Sequence, residues 1–178
     1  GVPVHLADGG GRADPRDDPV RQVRPEIVAH RDSLGNRSPV NRVAVDGAAG
    51  DVDIMQFCTV SLLKGTPVRD AHRRVIDIVK SKNGLVIFDP NLRFPLWPNR
   101  EELKETCLEF LEYADIIKIS DEELEFITGT ADEEKAADFL FEQGVKVFIY
   151  TMGKDGAKLF TPKFRVFGKG FKVKAVDT

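Results

Sequence analysis

The sequence predicts an α/β fold, a mainly parallel sheet with helices on both faces. Three observations lead there. From residue 52 onward, short apolar runs rich in β-branched residues alternate with stretches of helical period. The connections between them are short. The aromatic residues, moreover, all fall in this part of the chain. Strands separated by helices and joined this tightly pair in parallel and bury themselves under those helices.

Taken in order, Ile54 to Val60 is apolar and β-rich and reads as a buried strand. Thr66-Pro67 then supplies an N-cap and a proline at the first helical position. In the helix that follows, Val68, Ala71, Val75, Ile78 and Val79 are expected to face the core, with Arg69, Arg73, Arg74, Asp77 and Lys80 outward. His72, among those arginines, is expected to be solvated. Asn83-Gly84 closes the helix and turns the chain into the strand Leu85-Val86-Ile87-Phe88. Asn99, with Glu102 three residues on, starts a second helix whose apolar face is Leu103, Cys107, Phe110, Leu111 and Ala114. Residues 115–119 read as a strand, 121–128 and 132–143 as helices, and 146–150 as another strand. Shorter β segments are expected near 157–161, 164–167 and 171–176.

Composition divides the chain near residue 50. Residues 1–50 hold seven Arg, no Lys and no aromatic residue, whereas 51–178 hold thirteen Lys, six Arg and all fifteen aromatics. Glycine and proline interrupt the first segment throughout, so it can add little to a core. Two readings of it stay open, a poorly matched, disordered leader or a stretch translated out of frame. Residues 51–178 form the folded domain. A net charge of −3 carries no footprint for nucleic acid or an anionic membrane. No apolar run reaches membrane-spanning length. Cys58 and Cys107 lie far apart and match no metal spacing, which suits a reducing cytoplasm.

Three stretches carry chemistry-bearing residues. Asp89-Pro90-Asn91-Leu92-Arg93-Phe94-Pro95-Leu96-Trp97 follows the strand at 85–88, and ligands of open parallel sheets bind beyond the carboxyl ends of strands. Two prolines stiffen this loop around an amide, Asn91, and a guanidinium, Arg93. The plainer reading is a helix-entry loop with Arg93 solvated and Trp97 packed. Ser120-Asp121-Glu122-Glu123 opens a helix and is equally an ordinary capping box, a pattern that Thr130 to Glu133 repeats. Thr151-Met152-Gly153-Lys154-Asp155-Gly156 fits a backbone that approaches a ligand closely, or a tight hairpin.

In this order, and together with Ala114 to Gly129 and the ending Ala175-Val176-Asp177-Thr178, these stretches resemble the PfkB (ribokinase-like) carbohydrate kinases, the fructokinase branch most closely. The resemblance covers roughly residues 52–178. It implies a ribokinase-like fold, incomplete here, and transfer of the γ-phosphate of ATP, with Mg²⁺, to a primary hydroxyl of a ketohexose such as fructose. A 2-keto-3-deoxygluconate or other sugar-acid kinase of the same family is the alternative. It places Asn91 and Arg93 on the sugar side. Lys118, Glu123, Thr151, Gly153 and Gly156 fall on the nucleotide and phosphate side, with Glu123 acting on the metal indirectly. Ser120 stands where the family's Asn-x-x-Glu element has asparagine, which puts direct phosphate contact there in doubt. In the family a Val-Asp-Thr ending leads into Thr-Gly-Ala-Gly-Asp, which supplies the anion hole and the catalytic base. No catalytic base is therefore expected within these residues, and the polypeptide by itself is expected to be an inactive fragment that at most binds sugar or nucleotide. The expected partners are sugar and ATP, and for the complete enzyme a second copy in a homodimer; neither nucleic acid nor membrane is expected.

Overall fold

The computed structural model describes residues 46–47 and 49–171. The readings made for residues 1–45, the Val176-Asp177-Thr178 ending and nearly all of the segment near 171–176 lie outside the described residues. In chain order the elements are β1 (Ile54–Phe57), α1 (Pro67–Ser81), β2 (Leu85–Phe88), α2 (Arg100–Leu111), β3 (Ile116–Ser120), α3 (Asp121–Thr128), α4 (Glu133–Glu142), β4 (Val147–Thr151), β5 (Gly156–Phe160) and β6 (Arg165–Lys169).

Strand order in the sheet follows chain order from β1 to β6. The first four strands are parallel, and β5 and β6 continue antiparallel as a meander. When each parallel strand lies beside its predecessor, right-handed crossovers carry every intervening helix to the same face. That face holds Phe57, Val86, Phe88, Ile117, Ile119, Phe148 and Phe160, all buried in one cluster with Ile76, Val79, Leu103, Phe110, Leu124 and Leu140 from the helices. The alternate residues Leu85, Ile87, Ile116, Ile149 and Leu159 are only half-buried. The expected α/β class with a mainly parallel sheet is what forms, and the four described helices pack on this one face.

Local signals place most boundaries. The Thr66 side chain accepts a bond from Arg69 N, with Pro67 in the first turn. Asn99 Oδ1 accepts from Glu102 N at 2.7 Å, and the buried face of α2 contains the expected Leu103, Cys107, Phe110 and Leu111. Ser120 and Glu123 form a capping box on α3, which ends on Gly129 at φ 80°. Two boundaries differ. β1 stops at Phe57 rather than running to Val60, because Thr59 N turns to bond Pro90 O and Thr59–Ser61 form a single 3₁₀ turn. The cap of α4 is Asp132, not Thr130; Asp132 accepts from Glu134 N and Lys135 N.

The inward face of α1 is the main correction. Arg69, Ile76 and Val79 are its buried residues, while Val68 is 49% exposed. A buried arginine must find acceptors for its donors. Arg69 gives one nitrogen to Leu62 O at 2.7 Å and to Thr106 Oγ1 at 3.3 Å, and the other to Glu109. Its guanidinium also lies 5.2 Å from the Phe110 ring centre, and Arg73 joins it on Glu109. His72 is not solvated either. It is half-buried, bonded to Ser61 Oγ at 3.1 Å and Val68 O at 2.8 Å, with its ring edge-on to Phe57.

Candidate functional site

The carboxyl ends of β2, β3 and β4 bring together most of the residues singled out from the sequence. Beyond β2 the loop is tied to β1 by two backbone bonds, Asp89 N to Phe57 O and Thr59 N to Pro90 O, each 3.0 Å. Between them and the buried Leu92, Asn91 takes φ 45°, a left-handed conformation asparagine tolerates better than most residues. Arg93 is exposed, and its guanidinium bonds only the Leu92 carbonyl, at 3.2 Å, among the described residues.

Glu123 joins this loop to the next strand–helix turn. It is buried, and its Oε1 accepts from Leu92 N at 2.8 Å. Oε2 accepts from Ser120 N at 3.0 Å and Ser120 Oγ at 2.8 Å. A carboxylate offers about four acceptor positions, so one remains on Oε1. The capping-box reading of Glu123 is thus correct as geometry, and the same carboxylate also holds the loop of Asn91 and Arg93. Lys118, from the middle of β3, reaches back to Asp89 Oδ1 at 3.0 Å. It neutralises that acid and joins the same cluster.

Thr151 ends β4 directly beside Ser120 in the parallel register, at the rim of the cluster. Gly153 and Gly156 lie farther along, in the turn into β5. Met152 N bonds Gly156 O at 2.8 Å, and a 3₁₀ turn spans Gly153–Asp155, so this stretch is a hairpin. Gly156 needs to be glycine for packing. Its φ is 114°, and a β-carbon there would stand 2.0 Å from Gly168 O on β6. Gly153, at φ 51°, has open space around it. Neither glycine is bonded to the Glu123 cluster.

Four participants were not foreseen. The Phe94 ring meets Phe126 of α3 edge-on, with centroids 5.2 Å apart, and the Arg100 guanidinium lies 4.3 Å from the first ring centre and 5.1 Å from the second. Thr59, in the 3₁₀ turn after β1, is fully buried, and its hydroxyl finds no partner among the described residues. The arginine immediately after the Asn99 cap was the available hint, since a cation in the first turn of a helix opposes the macrodipole.

A divalent ion fits this site only at one remove. Among the described residues no three His, Cys, Asp or Glu side chains gather as a metal cage. Glu123 keeps one acceptor position, which suits a water of a hydrated ion, and Mg²⁺ characteristically retains its waters and binds through substrate phosphates.

Comparison with known proteins identifies the family. Residues 21–178 match the family model described as pfkB family carbohydrate kinase. Fructokinase-2 of Solanum lycopersicum is 39% identical over 127 residues, covering 70% of this chain and 38% of the relative. Fructokinase-1 of Oryza sativa subsp. japonica is 37% identical over 126 residues, covering 70% and 39%. Among solved structures, the fructokinase of Vibrio cholerae O395 in its fructose-, ADP- and calcium-bound form superposes with a TM-score of 0.64 at 33% identity, over 70% of this chain and 40% of that one. Aminoimidazole riboside kinase from Salmonella enterica, complexed with aminoimidazole riboside and an ATP analogue, gives 0.63 at 30% identity, over 70% and 42%. The chain spans about two-fifths of the length of the curated relatives it matches. With the family model matched along most of its length and a ribokinase-like sheet bearing the expected loops, the chain belongs to the pfkB family of carbohydrate kinases.

Proposed function

We propose that the protein containing these residues is an ATP-dependent sugar kinase that phosphorylates a primary hydroxyl of a ketohexose such as fructose. The observation that carries this reading is the Glu123 junction. One buried carboxylate fixes both the polar loop of Asn91 and Arg93 and the start of α3. Phosphoryl transfer depends on positioning, and a rigid link between acceptor loop and phosphate region supplies it. The fructokinase names of its relatives support the choice of sugar.

In this reading Asn91 bonds sugar hydroxyls, and Arg93 offers its fork to the polyhydroxylated or anionic part of the acceptor. Lys118, held by Asp89, and Thr151 line the phosphate and nucleotide side, with the turn of Gly153 and Gly156 bordering it. Glu123 accepts a bond from a water of the hydrated ion. Bound ATP with Mg²⁺ supplies the phosphoryl group and neutralises the charge that develops on it. The two free thiols favour a cytoplasmic setting, and the complete enzyme is read as a homodimer. Among the described residues no helix is long and apolar enough to cross a membrane.

A sugar-acid kinase is the second reading, favoured by the exposed Arg93 fork, to which no acid is bonded among the described residues. The test is sugar-dependent ADP release by the full-length protein against fructose, 2-keto-3-deoxygluconate and ribose. Fructose with the highest kcat/KM is expected, the sugar acid ahead of fructose would establish the second reading, and turnover of neither would overturn both. The 178 residues contain no Thr-Gly-Ala-Gly-Asp run. A polypeptide of these residues alone is therefore expected to release no ADP.

A further inference from the structure

We propose that Phe126 and Phe94, capped by Arg100, are positioning residues that hold Arg93 in place to select the sugar; this rests on the sugar-kinase reading above. The loop is gripped on both sides of Arg93 by α3. On one side Leu92 N donates to Glu123, and on the other Phe94 packs edge-on against Phe126. Residues 123 and 126 are three apart on a helix, so the two grips come from one face of one rigid element. Between them lies a single residue, Arg93, whose side chain is exposed.

The aromatic grip is an unusual expenditure for a surface. Phe94 is 37% exposed and the neighbouring Leu96 52% exposed, so little burial is gained there. Arg100 sits in the first turn of α2, where the helix dipole disfavours a cation. Its guanidinium covers both rings, an arrangement that recovers cation–π attraction at a position otherwise unfavourable. The 3₁₀ turn that follows closes on the same residues, with Leu96 N bonding Arg93 O at 2.9 Å and Trp97 N bonding Phe94 O at 3.1 Å. Fixing Phe94 therefore fixes the backbone of Arg93 from its carboxyl side, while Glu123 fixes it from its amino side. A guanidinium fork recognises its partner through direction, and a loop free to swing would lose that selectivity before it lost the fold.

The full-length protein tests this with Phe126→Ala, the more exposed Phe94→Ala in case the first does not fold, Phe126→Tyr as the conservative variant, and Arg93→Ala. Hydrogen exchange over residues 89–97 and steady-state kinetics with the sugar are the readouts. Either alanine variant is expected to speed exchange in that loop and to raise the sugar KM about tenfold with kcat little changed, as loss of uniform binding does. Phe126→Tyr should restore both. Phe94→Ala added to Arg93→Ala should cost nothing further, because the two act through one group. Unchanged exchange in a folded variant overturns the grip; faster exchange with unchanged KM, or full additivity with Arg93→Ala, overturns its role in selection. A wild-type protein that turns over no sugar defeats the kinase reading instead, and the selection claim with it.

Discussion

Asp115, just before β3, and Arg93, just beyond β2, lie at opposite edges of one sheet and are treated in opposite ways. Asp115 is buried and bonded from every side: Lys80 and Lys146 pair with its oxygens, and Val86 N donates to Oδ2 at 2.9 Å. Arg93 is exposed and bonds only its neighbour's carbonyl among the described residues. The amino edge spends its charges internally and is closed. At the carboxyl edge the backbone is held as firmly, by Glu123, while a guanidinium is left to face outward. The candidate site thus differs from the amino edge in combining a clamped backbone with an outward-facing side chain, more than in charge itself.

Asp115→Ala should have the largest effect, and on stability. Removing it strands Lys80 and the Val86 amide, and breaking a buried ion pair from one side costs about 3–5 kcal/mol. Chemical denaturation measures this; a loss under about 0.5 kcal/mol, the scale of an ordinary surface substitution, would mean that the amino edge is not closed. Burial acts against both partners. For Asp115 it pushes the carboxyl up, but the bonds from Lys80, Val86 and Lys146 outweigh it and leave the acid below its ordinary value. For Lys80 burial prevails over that single carboxylate, with Lys146 repelling it, and lowers the ammonium. The depressed acid sets the sign at low pH. Its stabilisation is fully present above the unfolded value of about 4 and is lost as pH falls through the lower folded value. Wild type should therefore lose stability in that range while Asp115→Ala is flatter.

The hairpin separates packing from ligand approach at the same edge. Gly156→Ala would drive a β-carbon into Gly168 O, so β5 and β6 must part, at about 1–3 kcal/mol. Gly153→Ala meets open space and costs about 1 kcal/mol for its left-handed backbone. Equal losses in thermal denaturation would contradict this division. A larger effect of Gly153→Ala on nucleotide binding than on stability would place that glycine, and not Gly156, against the ligand.

Much of this was legible in the sequence where the determining partners are neighbours in the chain. The caps at Thr66, Asn99 and Ser120 act across three residues and could be read directly. So could the polar loop after β2, because the strand and its two prolines are contiguous with it. Arg69 could not be read, since two of the three acceptors that permit its burial, Thr106 and Glu109, lie on α2, 37 and 40 residues away. By periodicity alone Val68 is the better core residue, and only those partners reverse the choice. The double role of Glu123 was hidden likewise. Its bonds to Ser120 are local, whereas its bond to Leu92 crosses 31 residues.

Glu123 is where the two edges can be made to resemble each other. Glu123→Ala removes the acceptor of Leu92 N and Ser120 N, and leaving buried donors unpaired costs about 1–3 kcal/mol each where water cannot enter. A purely structural carboxylate, like Asp115, would stop there. If Glu123 also serves the phosphate side, Glu123→Gln separates the two roles. The Gln carbonyl can still accept from Leu92 N, but its amide nitrogen cannot accept from Ser120 N, and the net charge that favours a hydrated cation is gone. The expected outcome is a modest loss of stability together with a kcat at least about tenfold lower and a raised requirement for Mg²⁺. Full activity at ordinary Mg²⁺ would reduce Glu123 to a clamp. In that case the carboxyl edge would differ from the amino edge only in what Arg93 faces, and the search for the phosphate-side acid would move to Asp89, the partner of Lys118.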